Sequence, residues 1–368
     1  MTEYSFLLDT DYFFIHIPKN AGTAIITQLC NSKFVGHHIT VKHYNHTKRS
    51  KAVAVVRNPY DRVISMYEYC KSTSNYWHTH KKHALYDYCC NNTFEEFVND
   101  LTTNKFNNVD FHFLPQWMWV VNENETINCN IIKFETLDHD LNQLLKTDIK
   151  LNKVNNVERT QKEYYTSELR KKVYLFFKKD FELFGYYGYT HDWFSGSELN
   201  KYCHNVIDSS NSIKILEIGC FEGLSATFFS DNFLHHDNSS LTCVDPYYTS
   251  GTVDGITSQH VSNFTKDLFI SNIKNSKNSS KIFFHNTTSD DFFDTNENYY
   301  DFIYVDGCHE PDYVKRDVKN SLTWLKHNGV LWIDDYQPTA TSVNEALKET
   351  CYNFKILHIG YQISLIKL

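Results

Sequence analysis

The chain has 368 residues, 41% of them hydrophobic and 16% aromatic, and a formal charge of −8. That length suits two cores better than one, and the composition excludes a disordered protein. The acidic balance excludes broad nucleic-acid binding but leaves room for a local basic pocket around a small anion. Ten cysteines include no C-x-x-C pair, which argues against a zinc or thioredoxin-like site and suits a reducing compartment. The first residues carry no basic segment ahead of an apolar stretch, and nothing later approaches membrane-spanning length. A soluble, cytoplasmic protein with no membrane partner is the expectation; the oligomeric state is not legible.

In chain order, Phe13–Ile17 is a short apolar run closed by Pro18, which predicts a buried strand. Gly22 then allows close approach of a ligand to the backbone. Thr23 is placed to cap a helix anchored by Ile25, Ile26 and Leu29. Free N–H groups there, with Lys19 beside them, make an anion site. Lys19 precedes the glycine, so this is not a Walker A loop and a P-loop nucleotide kinase is disfavoured. His37, His38 and His43 cluster further on. Residues 52–56 predict a second buried strand, followed by Asn58 as helix cap and Pro59 at the first helical position. Arg57 falls at the strand's carboxyl end, where open α/β sheets bind ligands, and Ser65 lies eight residues on.

These features together resemble sulfotransferases that use 3′-phosphoadenosine 5′-phosphosulfate (PAPS). The resemblance implies that Pro18, Lys19, Asn20, Ala21, Gly22, Thr23 and Ala24 form the 5′-phosphosulfate loop. It also implies that Arg57 and Ser65 hold the 3′-phosphate, and that Lys19 takes part in catalysis. The family's catalytic histidine stands in a G-x-H-x-T context that Gly36-His37-His38-Ile39-Thr40 fits with His38; His37 is the alternative. Residues 110–119 resemble the aromatic stretch that lines the acceptor cleft. A strand at 131–137, a helix start at 140–145 and a long helix over 167–185 complete a P-loop-like α/β sheet domain, taken as 1–190.

Residues 191–199 read as a linker, and 200–368 as a second α/β domain. Ile213–Phe229 predicts strand, glycine turn and helix, with Gly219 and Gly223 at the turn. The next strand ends at Asp245, whose carboxylate can accept both ribose hydroxyls of an adenosine cofactor. A G-x-G-x-x-G fingerprint is absent, which weakens a dinucleotide assignment. Strands at 281–285, 300–306 and 329–335, a helix at 311–327 and a hairpin at 354–367 follow. Glu217 to Gly223 with Asp245 resemble class I methyltransferases that use S-adenosylmethionine (SAM), with a Rossmann-like seven-stranded sheet. Asn286 to Ser289 are then expected near adenine. Val305 to Glu310 and Ile333 to Asp335 resemble the metal-assisted sugar O-methyltransferases. That narrower resemblance implies Mg²⁺ on Asp306, Asp334 and Asp335, Asp306 also at the cofactor, and His309 as base. The whole implies a bifunctional transferase acting on hydroxyls of a small molecule or glycan. The alternative is that one domain only binds its ligand or recruits the acceptor.

Overall fold

The computed structural model describes residues 7, 10–30, 40–43, 51–73, 82–106, 111–152, 161–247 and 263–368. The chain divides into two compact units, Met1–Tyr186 and Tyr187–Leu368. Among the described residues of the first, three parallel strands, β1 (Tyr12–Ile15), β2 (Lys51–Val56) and β3 (Asn130–Lys133), form a sheet in the order β1-β2-β3. Ala52 to Val56 are buried one after another, as a central strand covered on both faces requires. Helix α1 (Gly22–Leu29) follows β1 and sets Ile25, Ile26 and Leu29 against Phe14, Val53 and Val55. Helix α2 (Pro59–Lys71) follows β2; the Asn58 side chain accepts from the Tyr60 N–H at 2.9 Å, with Pro59 in the first turn. Helices α3 (Tyr86–Asn91), α4 (Phe94–Thr102) and α5 (Trp117–Val120) precede β3, and α6 (Leu137–Leu145), α7 (Ser167–Phe176) and α8 (Lys178–Phe184) follow it. The helix expected over 167–185 is thus two helices. Phe177 breaks it at φ −102°, ψ 18°, where its buried ring holds the chain to the core.

The second unit opens with α9 (Glu198–Val206), then β4 (Lys214–Ile218), α10 (Leu224–Phe233), β5 (Ser240–Val244), α11 (Asn263–Asn275) and β6 (Ile282–His285). It continues through α12 (Ser289–Thr295), β7 (Tyr300–Val305), α13 (Pro311–Trp324), β8 (Leu325–Ile333), α14 (Tyr336–Glu349), β9 (Phe354–Ile359) and β10 (Ile363–Lys367). The sheet has seven strands in the order β6-β5-β4-β7-β8-β10-β9, parallel except for β10, which runs antiparallel to both neighbours. Leu325, expected on the helix, is the first residue of β8, and Asp334 and Asp335 lie just beyond its end.

Residues 191–199 are not a free linker. Phe194 is buried in the second unit's core, and the preceding stretch bonds into the same unit: Gly188 N–H to Asn272 Oδ1 at 2.8 Å, Thr190 N–H to Glu222 Oε2 at 2.7 Å. No helix among the described residues is long and apolar enough to cross a membrane.

Asn58 caps the helix that follows Arg57, so Asn58→Ala should cost about 1 kcal/mol. Urea unfolding followed by tryptophan fluorescence reads this as a lower midpoint at unchanged slope.

Two candidate donor sites

In the first unit, the register Ile15↔Ala54 carries the ends of β1 and β2 to the same edge of the sheet. The loop after β1 turns sharply, with Lys19 at φ 72° and Ala21 at φ 60°. Left-handed backbone costs a non-glycine residue roughly 1–2 kcal/mol, and alternating it turns successive N–H groups into one concavity that suits an anion. Gly22 is required for another reason than the expected approach of a ligand: a Cβ there would lie 1.9 Å from His16 Nε2. Thr23 is not the cap of α1. That position belongs to Ala21, whose side chain makes no capping bond, and Thr23 and Ala24 lie inside the helix.

Lys19 and Arg57 meet at this edge. Arg57 Nη1 donates to the Lys19 carbonyl at 3.4 Å, and its guanidinium lies 4.3 Å from the Phe134 ring centre. Arg57 Nε is buried with no hydrogen-bond partner among the described residues. The Lys19 ammonium sits 3.9 Å over Tyr69. Burial first, and the Arg57 charge second, bring its pKa down to about 7. Ser65 is half-buried on α2. His37 and His38 lie outside the described residues.

In the second unit, Gly219 (φ 82°) leads out of β4, and a Cβ there would lie 2.0 Å from the Asp306 carbonyl oxygen. Gly223 (φ 79°) starts α10 against Phe269. Asp245 behaves differently from expectation. Its Oδ2 accepts from the N–H groups of Cys220 (2.9 Å) and Phe221 (3.1 Å), and its Oδ1 from that of Tyr247 (3.0 Å). By lone-pair count only Oδ1 retains an acceptor position, room for one ribose hydroxyl and not two. Glu217 is 0% exposed and accepts from Ser225 Oγ and, at 3.7 Å, Cys243 Sγ. Burial pushes its pKa up to about 8, and its carboxyl is packed beneath the loop.

Beyond β7 and β8 stand the acids. The Asp306 N–H bonds the Ile218 carbonyl at 2.8 Å, and the Asp334 N–H bonds that of Val305 at 2.9 Å. The Tyr304 hydroxyl lies 3.0 Å from Asp306 Oδ2 and 2.6 Å from Asp334 Oδ2. One phenol proton cannot fully serve two carboxylates. Burial, then the Asp334 charge, hold Asp306 well above the usual carboxylate range. Asp335 bonds His309 Nε2 at 2.9 Å and the Tyr361 hydroxyl at 2.5 Å. That bond raises the His309 pKa and lowers that of Asp335. One ligand atom each from Asp306, His309 and Asp335 lie within 4.8 Å of one another. This donor set of hard oxygens and one imidazole fits a divalent cation, with Asp334 joined through Tyr304.

Comparison with known proteins follows the same division. The model of the sulfotransferase family matches residues 6–187. A methyltransferase domain model matches residues 216–336. The chain is a two-part transferase.

No curated protein matches it. Similar solved structures include an O-methyltransferase from Bacillus cereus in complex with SAH (13% identity, 43% of this chain and 74% of that one, TM-score 0.33). Another is the O-methyltransferase TomG from Streptomyces achromogenes (13% identity, 43% and 73%, TM-score 0.33). Cofactor-bound Rv0187 from MTB is a third (10% identity, 48% and 82%, TM-score 0.37).

Sequence patterns located the loops of this transferase but missed the groups behind them. In the sulfotransferase domain these are Arg62, Gln116 and Asp180, each 1% exposed or less. The signal available was an arginine on the apolar face of α2, one position before Val63. In the methyltransferase domain they are Glu222, which holds Thr190 and His191, and Tyr361 of the β9–β10 turn.

The lowered pKa of Lys19 has a consequence for ligand binding. A nucleotide phosphate at its ammonium favours the charged form, so binding above pH 7 must recruit a proton. Calorimetry of adenosine 3′,5′-bisphosphate binding in buffers of differing ionisation enthalpy should show proton uptake, and weakening affinity, from about pH 7 to about 9. Lys19→Met should abolish the uptake.

Proposed function

We propose that the amino-terminal domain transfers a sulfuryl group from PAPS to a hydroxyl and that the carboxy-terminal domain transfers a methyl group from SAM to a hydroxyl. The observation that carries this is the meeting of Lys19 and Arg57 at the carboxyl edge of parallel strands, two cations on separate loops for the two ends of a doubly phosphorylated donor. The acceptor oxygen attacks sulfur, the bond from sulfur to the 5′-phosphate oxygen breaks, and adenosine 3′,5′-bisphosphate leaves. Lys19 and the loop N–H groups offset charge developing on the leaving oxygen. The hydroxyl proton passes to His38, or to its neighbour His37.

In the other domain, the acceptor oxygen takes the methyl carbon as the carbon–sulfur bond breaks, leaving S-adenosylhomocysteine. Gly219 and Gly223 let the donor approach, Asp245 holds the loop in shape, and His309 takes the proton. Mg²⁺ on Asp306 and Asp335, with Asp334 behind them, would lower the hydroxyl's pKa. The crowding of Asp306 against Asp334 supports such a cation. We infer a carbohydrate acceptor from the resemblance of both domains to sugar-modifying transferases. Trp193, stacked on Phe221 at 4.8 Å, offers a flat aromatic face beside the methyl donor's loop. A cytoplasmic setting is part of the same proposal, supported by the buried thiols Cys89, Cys203, Cys220 and Cys243, which fill core positions as small apolar groups.

The test uses the intact chain, sulfur-labelled PAPS and methyl-labelled SAM with a panel of sugars. Lys19→Ala should cut sulfuryl transfer roughly 10²–10³-fold and leave methyl transfer unchanged. Asp306→Asn should do the reverse. No labelling by well-folded wild type would refute the assignment, and an active Asp306→Asn enzyme would refute the acid's role.

The raised Asp306 pKa gives a readout apart from activity. A carboxyl raised by folding binds more protons in the native state, so its contribution to stability falls as pH rises through the raised value. A divalent cation replaces that proton. Added Mg²⁺ should therefore raise the melting temperature more at pH 8 than at pH 5, and Asp306→Asn should lose the difference.

A further inference from the structure

Arg57 lies one residue past the end of β2, beyond the strand pairing that would satisfy its peptide groups. The Gln116 side chain takes over that pairing. Its Oε1 accepts from the Arg57 N–H at 2.8 Å, and its Nε2 donates to the Arg57 carbonyl at 2.8 Å. The same Oε1 accepts from Asn20 Nδ2 at 2.7 Å, on the other loop, and Asn20 Nδ2 also reaches the Val55 carbonyl at 2.8 Å. The second Nε2 hydrogen points to Asp180 Oδ2 at 3.4 Å. A carboxamide offers two lone pairs and two N–H groups, and all four are used. With donors on one side and acceptors on the other, the amide can sit in only one orientation.

Asp180 fixes Gln116 in turn. Its Oδ2 accepts from the Gln116 N–H and its Oδ1 from the Trp117 N–H, both at 2.8 Å. Arg62 closes the arrangement from the other side, donating to the carbonyls of Pro18 (3.2 Å), Leu114 (3.0 Å) and His112 (3.0 Å). Asn20, Arg62, Gln116 and Asp180 are each exposed by 1% or less, so these four side chains make their bonds with little water around them.

We propose that Gln116, seated on Asp180, is the positioning residue that sets the spacing between the two phosphate-holding loops of the sulfotransferase domain. It touches neither phosphate. It acts through the backbone of Arg57 and the side chain of Asn20, and it rests on the assignment of a bisphosphate donor made above. Because it governs spacing, it matters to a ligand that must reach both loops and much less to one that needs a single loop. General damage to the fold would weaken both ligands alike.

The experiment compares adenosine 3′,5′-bisphosphate with adenosine 5′-monophosphate by calorimetry on the intact chain, for wild type, Gln116→Met and Asp180→Asn. Loss of the amide leaves buried groups of Arg57 and Asn20 unpaired, which should weaken the bisphosphate roughly ten- to a hundredfold. The monophosphate should change by less than about threefold, a half-decade in affinity. Asp180→Asn, which keeps the shape and Gln116 itself, should move the ratio the same way by less. It decides alone if Gln116→Met does not fold. Equal weakening of both nucleotides, or an unchanged ratio, overturns the positioning role. Wild type that binds neither nucleotide overturns the donor assignment instead.

Discussion

Parallel strands that end in register are the constraint on which both sites depend. In the sulfotransferase domain, pairing of Phe14 with Val53 and Ile15 with Ala54 brings the loops at Lys19 and Arg57 to one edge. In the methyltransferase domain, single hydrogen bonds prolong the ladder past the strand ends, among them Gly219 N–H to Val244 O, Asp306 N–H to Ile218 O and Asp334 N–H to Val305 O. These bonds line up the glycine turn, Asp306 and Asp334 side by side. Shifting a parallel strand by one residue would turn each of these side chains to the opposite face. The core that holds the register therefore also holds the chemistry.

The two domains use opposite electrostatics. At the first edge, burial makes the charges of Lys19 and Arg57 costly, and Arg57 adds to the cost at Lys19; an anionic ligand relieves both. At the second, Asp306 and Asp334 crowd a single phenol, and a cation would relieve them. Each edge carries a charge of one sign that its own fold leaves incompletely offset. That pattern marks a ligand site more firmly than any single perturbed group.

Much of the fold was legible in the sequence because it is written in short-range patterns. Buried runs such as Ala52 to Val56, the Asn58-Pro59 helix start and the closing hairpin depend on neighbours in the chain. The seven-stranded sheet followed from resemblance, and the structure has seven strands. Contacts between distant residues were not legible. Gln116 meets Asn20 across 96 residues and Asp180 across 64, and neither pair leaves a periodic trace. Glu217 and Asp245 stand out in the sequence, but the bonds they make within the fold do not. Glu217 is buried beneath the loop, and three backbone N–H groups draw Asp245 into shaping it. Thr23 looked like a cap because capping is judged by residue type, whereas here the left-handed turn at Ala21 starts the helix two residues earlier. The break at Phe177 escaped because nothing in its residue type ends a helix; the packing of its ring does.

The most direct measurement is a crystal structure of the intact chain grown with adenosine 3′,5′-bisphosphate. The account predicts the 5′-phosphate against the N–H groups of residues 19–23 with Lys19 lifted from Tyr69, and the 3′-phosphate on the Arg57 guanidinium. Density for the nucleotide away from this edge, or a phosphate at Lys19 with Arg57 still stacked over Phe134 and no phosphate on it, would contradict it.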